Sequence, residues 1–198
     1  MSSRIEFRRV FQCDIYASTG HACVAAHSMI RALYSNFSGP LYTVIRASDN
    51  TTAAIPPFKA GGYSNAAVQE KFCAGTDCVV TTIWDQSPMS NHLLIFNYST
   101  ATKKRLNKGV NASVDPHMVG GHRVYSAYFG VPGTKDGSGE GYRTPPGPAN
   151  GVAVGHESES MYMVTSGRNY SECSTAFLSL PFAAFPQSDC LFPLPLVR

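Results

Sequence analysis

Two carboxylates in the string Glu157-Ser158-Glu159 offer the most direct chemistry in this sequence. On a strand, positions i and i+2 project from one face, about 6–7 Å apart. A retaining glycosidase holds its two carboxyl groups about 5–5.5 Å apart, one as nucleophile and one as acid/base. The spacing is therefore permissive, although neighbouring acids at the start of a strand more often form a solvated face. A third acid, Asp85, lies in Trp84-Asp85-Gln86-Ser87, followed by Asn91-His92-Leu93. It would serve as the acid of a ligand pocket or as a turn former whose side chain bonds nearby backbone. The turn is the favoured use of Asp-Gln-Ser after a strand.

Six histidines (His21, His27, His92, His117, His122 and His156) leave a Ser/His/Asp triad open, because its members need not be adjacent in sequence. No GxSxG elbow accompanies them. No GxxxxGK[ST] or GxGxxG motif joins a strand to a helix, so nucleotide binding has no support. The stretch 137–141 (GSGEG) reads as a flexible loop by composition.

Cysteine usage speaks to compartment. Cys13 and Cys23 form one close pair, Cys73 and Cys78 another, each bracketing a turn-rich stretch. Such small loops favour local disulfides. Zinc is the rival, but no CxxC pair occurs and no histidine lies at finger spacing. Cys173 and Cys190 could pair as well, in a poorer context. Asn36, Asn50, Asn97, Asn111 and Asn169 each begin a glycosylation sequon. Disulfides and sequons together favour secretion. Residues 1–12 (MSSRIEFRRVFQ) nevertheless lack the apolar core of a secretory signal. Either the thiols are free inside a cell, or the chain begins at the wrong place.

These residues need elements to position them. The chain has 198 residues, 43% of them hydrophobic and 15% charged, enough for one domain with a core of its own. Few charges and many aromatics argue against intrinsic disorder. No window reaches the length of a membrane span. The net charge is +3, and Lys and Arg are scattered apart from Lys103-Lys104-Arg105, too weak a pattern to imply a nucleic-acid partner. Seventeen glycines and thirteen prolines point to strands and turns.

Residues 13–25 read as a turn-rich opening, and 25–34 (AAHSMIRALY) as a short amphipathic helix, with Ala26, Met29, Ile30 and Leu33 on one face. Residues 41–47 read as a strand, 48–50 as a turn and 55–62 as an irregular loop. A second helix is expected over 65–72, capped by Ser64 or Asn65. Residues 78–84 (CVVTTIW) form the strongest strand, buried on both faces, and 92–97, 122–131 and 160–165 follow as strands. The expected architecture is mainly β, a jelly-roll sandwich with two short helices. Residues 176–198 carry four prolines and no period, so a core element is not expected there.

Read as strings, CDIYAS at 13–18, CVAAHSMIRALYSNFSGPLYTVIRASD at 23–49 and GGYSNAAVQEKFCAGTDCVVTTIWDQS at 61–87 are specific. With NHL at 91–93, GYR at 141–143 and MYMVTSGRNY at 161–170, they resemble the catalytic domain of fungal α-L-arabinofuranosidase B, glycoside hydrolase family 54. The resemblance covers about residues 13–170. It implies a secreted, monomeric, concanavalin-like sandwich containing both disulfides. It also implies release of terminal α-L-arabinofuranosyl groups from arabinan and arabinoxylan, the arabinose-containing polysaccharides of plant cell walls.

By that resemblance a glutamate nucleophile and an aspartate acid/base act with retention, and no metal or organic cofactor is expected. The family's catalytic residues, an adjacent-cysteine disulfide and an arabinose-binding β-trefoil domain lie beyond the matching segment. No catalytic residue is therefore assigned to this chain, and Glu157 and Glu159 match a non-catalytic stretch. Residues 1–12 and the tail 171–198 stand outside the family pattern. The expectation is a truncated gene product, an incomplete sandwich inactive by itself, with the tail disordered. The alternative is a non-catalytic, lectin-like carbohydrate-binding sandwich.

Overall fold

The computed structural model describes residues 11–95, 97–100, 103–106, 108–129, 140–145, 147 and 149–166. The expectations for 130–131, for the tail, and for Cys173 and Cys190 lie outside these residues. The elements begin with α1 (Gln12–Ser18), β1 (Tyr42–Arg46) and β2 (Thr52–Ile55), followed by α2 (Ala66–Phe72) and β3 (Cys78–Ile83). Six short strands follow: β4 (Leu93–Ile95), β5 (Asn97–Thr100), β6 (Lys103–Leu106), β7 (Pro116–Val119), β8 (His122–Tyr125) and β9 (Tyr142–Arg143). Five strands form an antiparallel sheet in the order β2-β1-β3-β4-β9, and β5-β6 and β7-β8 are separate hairpins. The architecture is mainly β with two short helices, the sandwich class anticipated from the sequence.

β3 is the centre of the core. Cys78 and Val80 are fully buried and Thr82 and Ile83 nearly so, whereas Val79 and Thr81 on the other face are only half-buried, so burial on both faces is met in part. It pairs with β1 along its whole length, with a register shift between Thr43 and Val44. β4 covers only Thr82 and Ile83 on its other edge. Residues 110–112 complete that edge: Val80 N–H donates to Val110 O at 2.9 Å and Ala112 N–H to Cys78 O at 2.9 Å. Leu41, Tyr42, Val44, Ile55, Val80 and Val110 are fully shielded from water. Each such aliphatic contributes about 1.5–3 kcal/mol relative to exposure. The buried Tyr42 hydroxyl donates to Gln69 Oε1 at 2.7 Å, and Gln69 Nε2 donates to Ala112 O at 2.7 Å. One side-chain pair thus ties α2 to the sheet.

Several local expectations are corrected. Residues 25–34 are not helical, because their backbone groups bond to distant segments. Ile30 O accepts from Ser64 N, Ala32 N–H donates to Gly62 O, and Leu33 O accepts from Cys13 N. The apolar residues Ala26, Met29 and Leu33 are buried all the same. The first helix lies earlier, in α1, where Cys13 turns inward. At α2 neither Ser64 nor Asn65 supplies a side-chain cap; the turn closes through backbone bonds such as Val68 N–H to Asn65 O. Residues 160–165 form no strand: no described segment pairs with them, and Met161, Met163 and Val164 stand exposed. The strand expected over 122–131 ends at Tyr125, and β2, β5, β6, β7 and β9 lie outside the expected strands; Pro116 opens β7, a position where a strand tolerates proline.

Candidate functional site

Both cysteine pairs are disulfides. Cys13–Cys23 spans a Cα–Cα distance of 5.5 Å and Cys73–Cys78 one of 5.8 Å, inside the usual range. The zinc alternative falls with them. The first bond ties α1 to residue 23, and the second closes the connection from α2 to β3. Among the described residues, no three His, Cys, Asp or Glu side chains are gathered to hold a metal ion.

The densest polar cluster forms where β3 ends. Asp85 is buried, and its carboxylate accepts four hydrogen bonds. Oδ1 takes the amides of Ala26 at 2.7 Å and Ser87 at 2.9 Å; Oδ2 takes the Ser87 hydroxyl at 2.6 Å and the Asn91 amide at 2.8 Å. Four acceptor directions are thereby filled. The turn favoured for Asp-Gln-Ser exists, and it reaches well beyond its own residues.

Gln86 extends the cluster, accepting Leu33 N–H through Oε1 at 2.6 Å and donating its own amide to Ala26 O at 2.8 Å. Asn91 Nδ2 donates to Val24 O at 2.7 Å and to Asn150 O at 2.8 Å, while Asn150 N–H returns a bond to Asn91 Oδ1 at 2.8 Å. Three segments, 24–33, 84–92 and 149–150, are held by these side chains.

The flanking histidines are polarised by their partners. His27 Nε2 lies 2.8 Å from the Asn91 carbonyl, which only accepts, so this nitrogen carries hydrogen. His92 Nδ1 accepts the Asp85 amide at 3.1 Å, so its hydrogen is on Nε2 in the neutral ring. Burial lowers the His27 pKa below its ordinary value. The Trp84 ring meets His92 edge-on at 4.7 Å and donates through Nε1 to Thr43 Oγ1 at 2.9 Å. This arrangement fixes a corner of the sandwich. With all four acceptor directions filled, Asp85 has none left for a substrate proton.

The other candidate acids are placed differently. Glu157 and Glu159 lie exposed on an irregular segment, where Glu157 Oε2 accepts the Val154 amide at 2.9 Å. They do not share a strand face. Glu140 bridges in parallel to Lys108. A Ser/His/Asp group that sequence inspection missed gathers Asp115, His117 and Ser126. His117 Nε2 lies 2.7 Å from Asp115 Oδ2 and 3.1 Å from Ser126 Oγ, and Ser126 Oγ also contacts Asp115 Oδ2. A triad engages acid and nucleophile through different ring nitrogens, whereas here one nitrogen meets both. The group clamps the hairpin. The β7–β8 pairing of Pro116 with Tyr125 puts residues 115 and 126 opposite each other, a register no local pattern discloses.

A mainly antiparallel sheet, two small disulfide loops and an asparagine- and aspartate-anchored corner define a disulfide-bonded β-sandwich domain. The family described as alpha-L-arabinofuranosidase B, catalytic, matches residues 12–177, and the chain belongs to that family. It is 43% identical over 163 residues to the probable alpha-L-arabinofuranosidase B of Aspergillus fumigatus, covering 81% of this chain and 30% of that protein. It is 41% identical over 162 residues to the alpha-L-arabinofuranosidase B of Aspergillus oryzae, covering 80% and 30%.

Among solved structures, a GH54 α-L-arabinofuranosidase soaked with a cyclic sulfate inhibitor aligns with a TM-score of 0.64 at 40% identity, over 75% of this chain and 30% of that one. An arabinofuranosidase complexed with arabinofuranosyl-α-1,2-xylobiose aligns with a TM-score of 0.59 at 39% identity, over 68% and 27%. The chain thus spans about 30% of the length of the curated relatives it matches.

Proposed function

We propose that this chain supplies the N-terminal part of a retaining α-L-arabinofuranosidase, releasing terminal α-L-arabinofuranosyl groups from arabinan and arabinoxylan. The observation that carries the reading is the match over 12–177 to the arabinofuranosidase catalytic family. Within this reading the described residues act as scaffold. Asp85 is saturated by four donors, and Glu157 is engaged by a turn. The nucleophile and acid/base are proposed to be none of the described carboxylates, and no cofactor is invoked.

The protein acts as a secreted monomer on plant cell-wall polysaccharide. Two disulfides and exposed sequon asparagines at Asn36 and Asn50 support secretion. No described helix is long and apolar enough to cross a membrane. The net charge is only +3, and apart from Lys103-Lys104-Arg105 the basic residues are scattered along the sequence, which gives little support to a nucleic-acid partner.

The test is hydrolysis of a chromogenic α-L-arabinofuranoside by the purified chain, beside a form extended to the length of its relatives. Turnover by the extended form alone is the expected result. Turnover by the short chain would overturn the scaffold assignment and return attention to Asp85, Glu140, Glu157 and Glu159. Saturable arabinan binding without hydrolysis in the extended form would replace catalysis with a lectin-like role.

A further inference from the structure

The hairpin that joins β1 to the edge strand β2 turns over residues 47–51. Asn50 N–H donates to Arg46 O at 3.0 Å and Arg46 N–H to Thr51 O at 3.0 Å, closing the turn. Asn50 holds a left-handed backbone at φ 57, which asparagine tolerates better than most residues with a Cβ. Asp49 collects the neighbouring donors: Arg46 Nε at 2.8 Å and Nη2 at 2.6 Å, Thr51 N–H at 3.0 Å and the Thr51 hydroxyl at 2.8 Å. Among the described residues nothing bonds the Asn50 carboxamide or the Thr52 hydroxyl, and both residues are exposed. These two are the first and third positions of the sequon Asn50-Thr51-Thr52.

The sequons at Asn36 and Asn111 are placed differently. Asn111 is half-buried, its Oδ1 accepts the Ser113 amide at 2.9 Å, and it bridges Val79 beside the fully buried Ala112. A branched oligosaccharide there would have to leave from the packed edge of β3. Asn36 and Ser38 are exposed, but Phe37 between them packs against the core. Its N–H donates to Tyr34 O at 3.4 Å, and its carbonyl accepts Gly61 N–H at 3.0 Å, so the middle of that sequon is tied down. Its third position is also a serine, whereas the branched Cβ of Thr52 leaves the hydroxyl fewer rotamers to lose.

We infer that Asn50 is an N-glycosylation site, and the preferred glycan acceptor among these three sequons. The inference rests on the secretory reading above and adds to it a modification site. The sugar donor is a lipid-pyrophosphate-linked oligosaccharide, and a membrane-bound transferase of the secretory pathway catalyses the step. Asn50 Nδ2 bonds to the anomeric carbon of the first N-acetylglucosamine as the carbon–oxygen bond to pyrophosphate breaks. The amide proton passes to a base of the transferase, and the lipid pyrophosphate leaves. The sequon hydroxyl, here that of Thr52, is the second group the transferase must grip. Transfer competes with folding, and the folded chain must then carry a bulky, hydrated oligosaccharide. At Asn50 that chain extends into water and leaves every bond of Asp49 in place.

The test is cell-free translation of the full chain behind a secretory leader, with microsomes, read by gel mobility before and after endoglycosidase. Occupancy is scored on the emerging chain, so a variant that folds poorly is still read. The parent should show a slowed band that endoglycosidase restores. Asn50→Gln and Thr52→Ala should each lose the same single step of that shift, Thr52→Ser should keep part of it, and Asn111→Gln should lose none. An Asn50→Gln chain that migrates as the parent overturns the site, and so does a parent with no sensitive band. A step lost in Asn111→Gln but not in Asn50→Gln overturns the ranking by exposure. The added leader delivers the chain to the transferase in any case, so the secretory reading is tested separately, on the protein isolated from the organism that makes it. Unmodified Asn50 there, with the microsomal step intact, sinks secretion alone; loss of the microsomal step sinks the site alone.

Discussion

Asp85 Oδ1 accepts the backbone amide of Ala26 at 2.7 Å, a buried contact between residues 59 positions apart. It converts an aspartate of catalytic promise into the anchor of a fold corner. Replacing it by asparagine turns one acceptor into a donor facing the hydrogens of its present partners. Asp85→Asn should cost about 2–4 kcal/mol, the scale for leaving buried polar groups unpaired. Urea denaturation measures it, and a change below about 0.5 kcal/mol would contradict the anchoring role.

The two disulfides enclose short loops, with sequence separations of 10 and 5. Loop entropy assigns them about 3 and about 2 kcal/mol respectively. Paired Cys→Ser variants should therefore rank with the Cys13–Cys23 loss as the larger. Equal or inverted losses in denaturant melts would show that native-state contacts outweigh chain entropy.

Tyr142 on β9 reaches across to β3, donating to Val80 O at 2.7 Å and accepting the Val110 amide at 2.8 Å. Beside it Gly109 packs so closely that a Cβ would fall 2.1 Å from Val80 O. Tyr142→Phe strips a buried amide of its partner and should cost about 1–3 kcal/mol. Gly109→Ala must displace backbone and should cost at least as much. Calorimetric melting of both variants checks the order; a Gly109→Ala chain as stable as the parent would rule out the close approach.

Burial holds the His27 pKa below its ordinary 6.5, outweighing the opposing pull of the Asn91 carbonyl and of Asp85. The unfolded chain binds this proton near pH 6.5, the folded chain only at lower pH. Its contribution to stability is complete above about pH 6.5 and is lost as pH falls toward the folded value. His27→Gln keeps a donor for Asn91 O and removes the titration. Its stability should decline less between pH 6.5 and 5 than the parent's, as read from urea midpoints; parallel declines would place the acid sensitivity elsewhere.

Local pattern alone determined much of this protein. The β-branched run of β3, the strand at 42–46, the α2 helix and both cysteine pairs depend on neighbours a few residues away. Their type therefore shows in spacing. The strings around Cys13, 61–87 and 161–170 likewise disclosed the family before any geometry. Residues 25–34 show where that reasoning stops. Their apolar spacing correctly marks Ala26, Met29 and Leu33 as core, yet backbone bonds to Cys13, Gly62 and Ser64 displace the helix.

Tertiary structure also decided the roles of the polar residues. Asp85 could be a reacting acid or an anchor until Ala26 and Asn91 arrived to fill its lone pairs. Asp115 and Ser126 became neighbours only through hairpin register. Helix and strand tendencies are properties of adjacent residues. The protonation, saturation and exposure of a side chain depend on segments brought from tens of positions away, and only the folded chain brings them together.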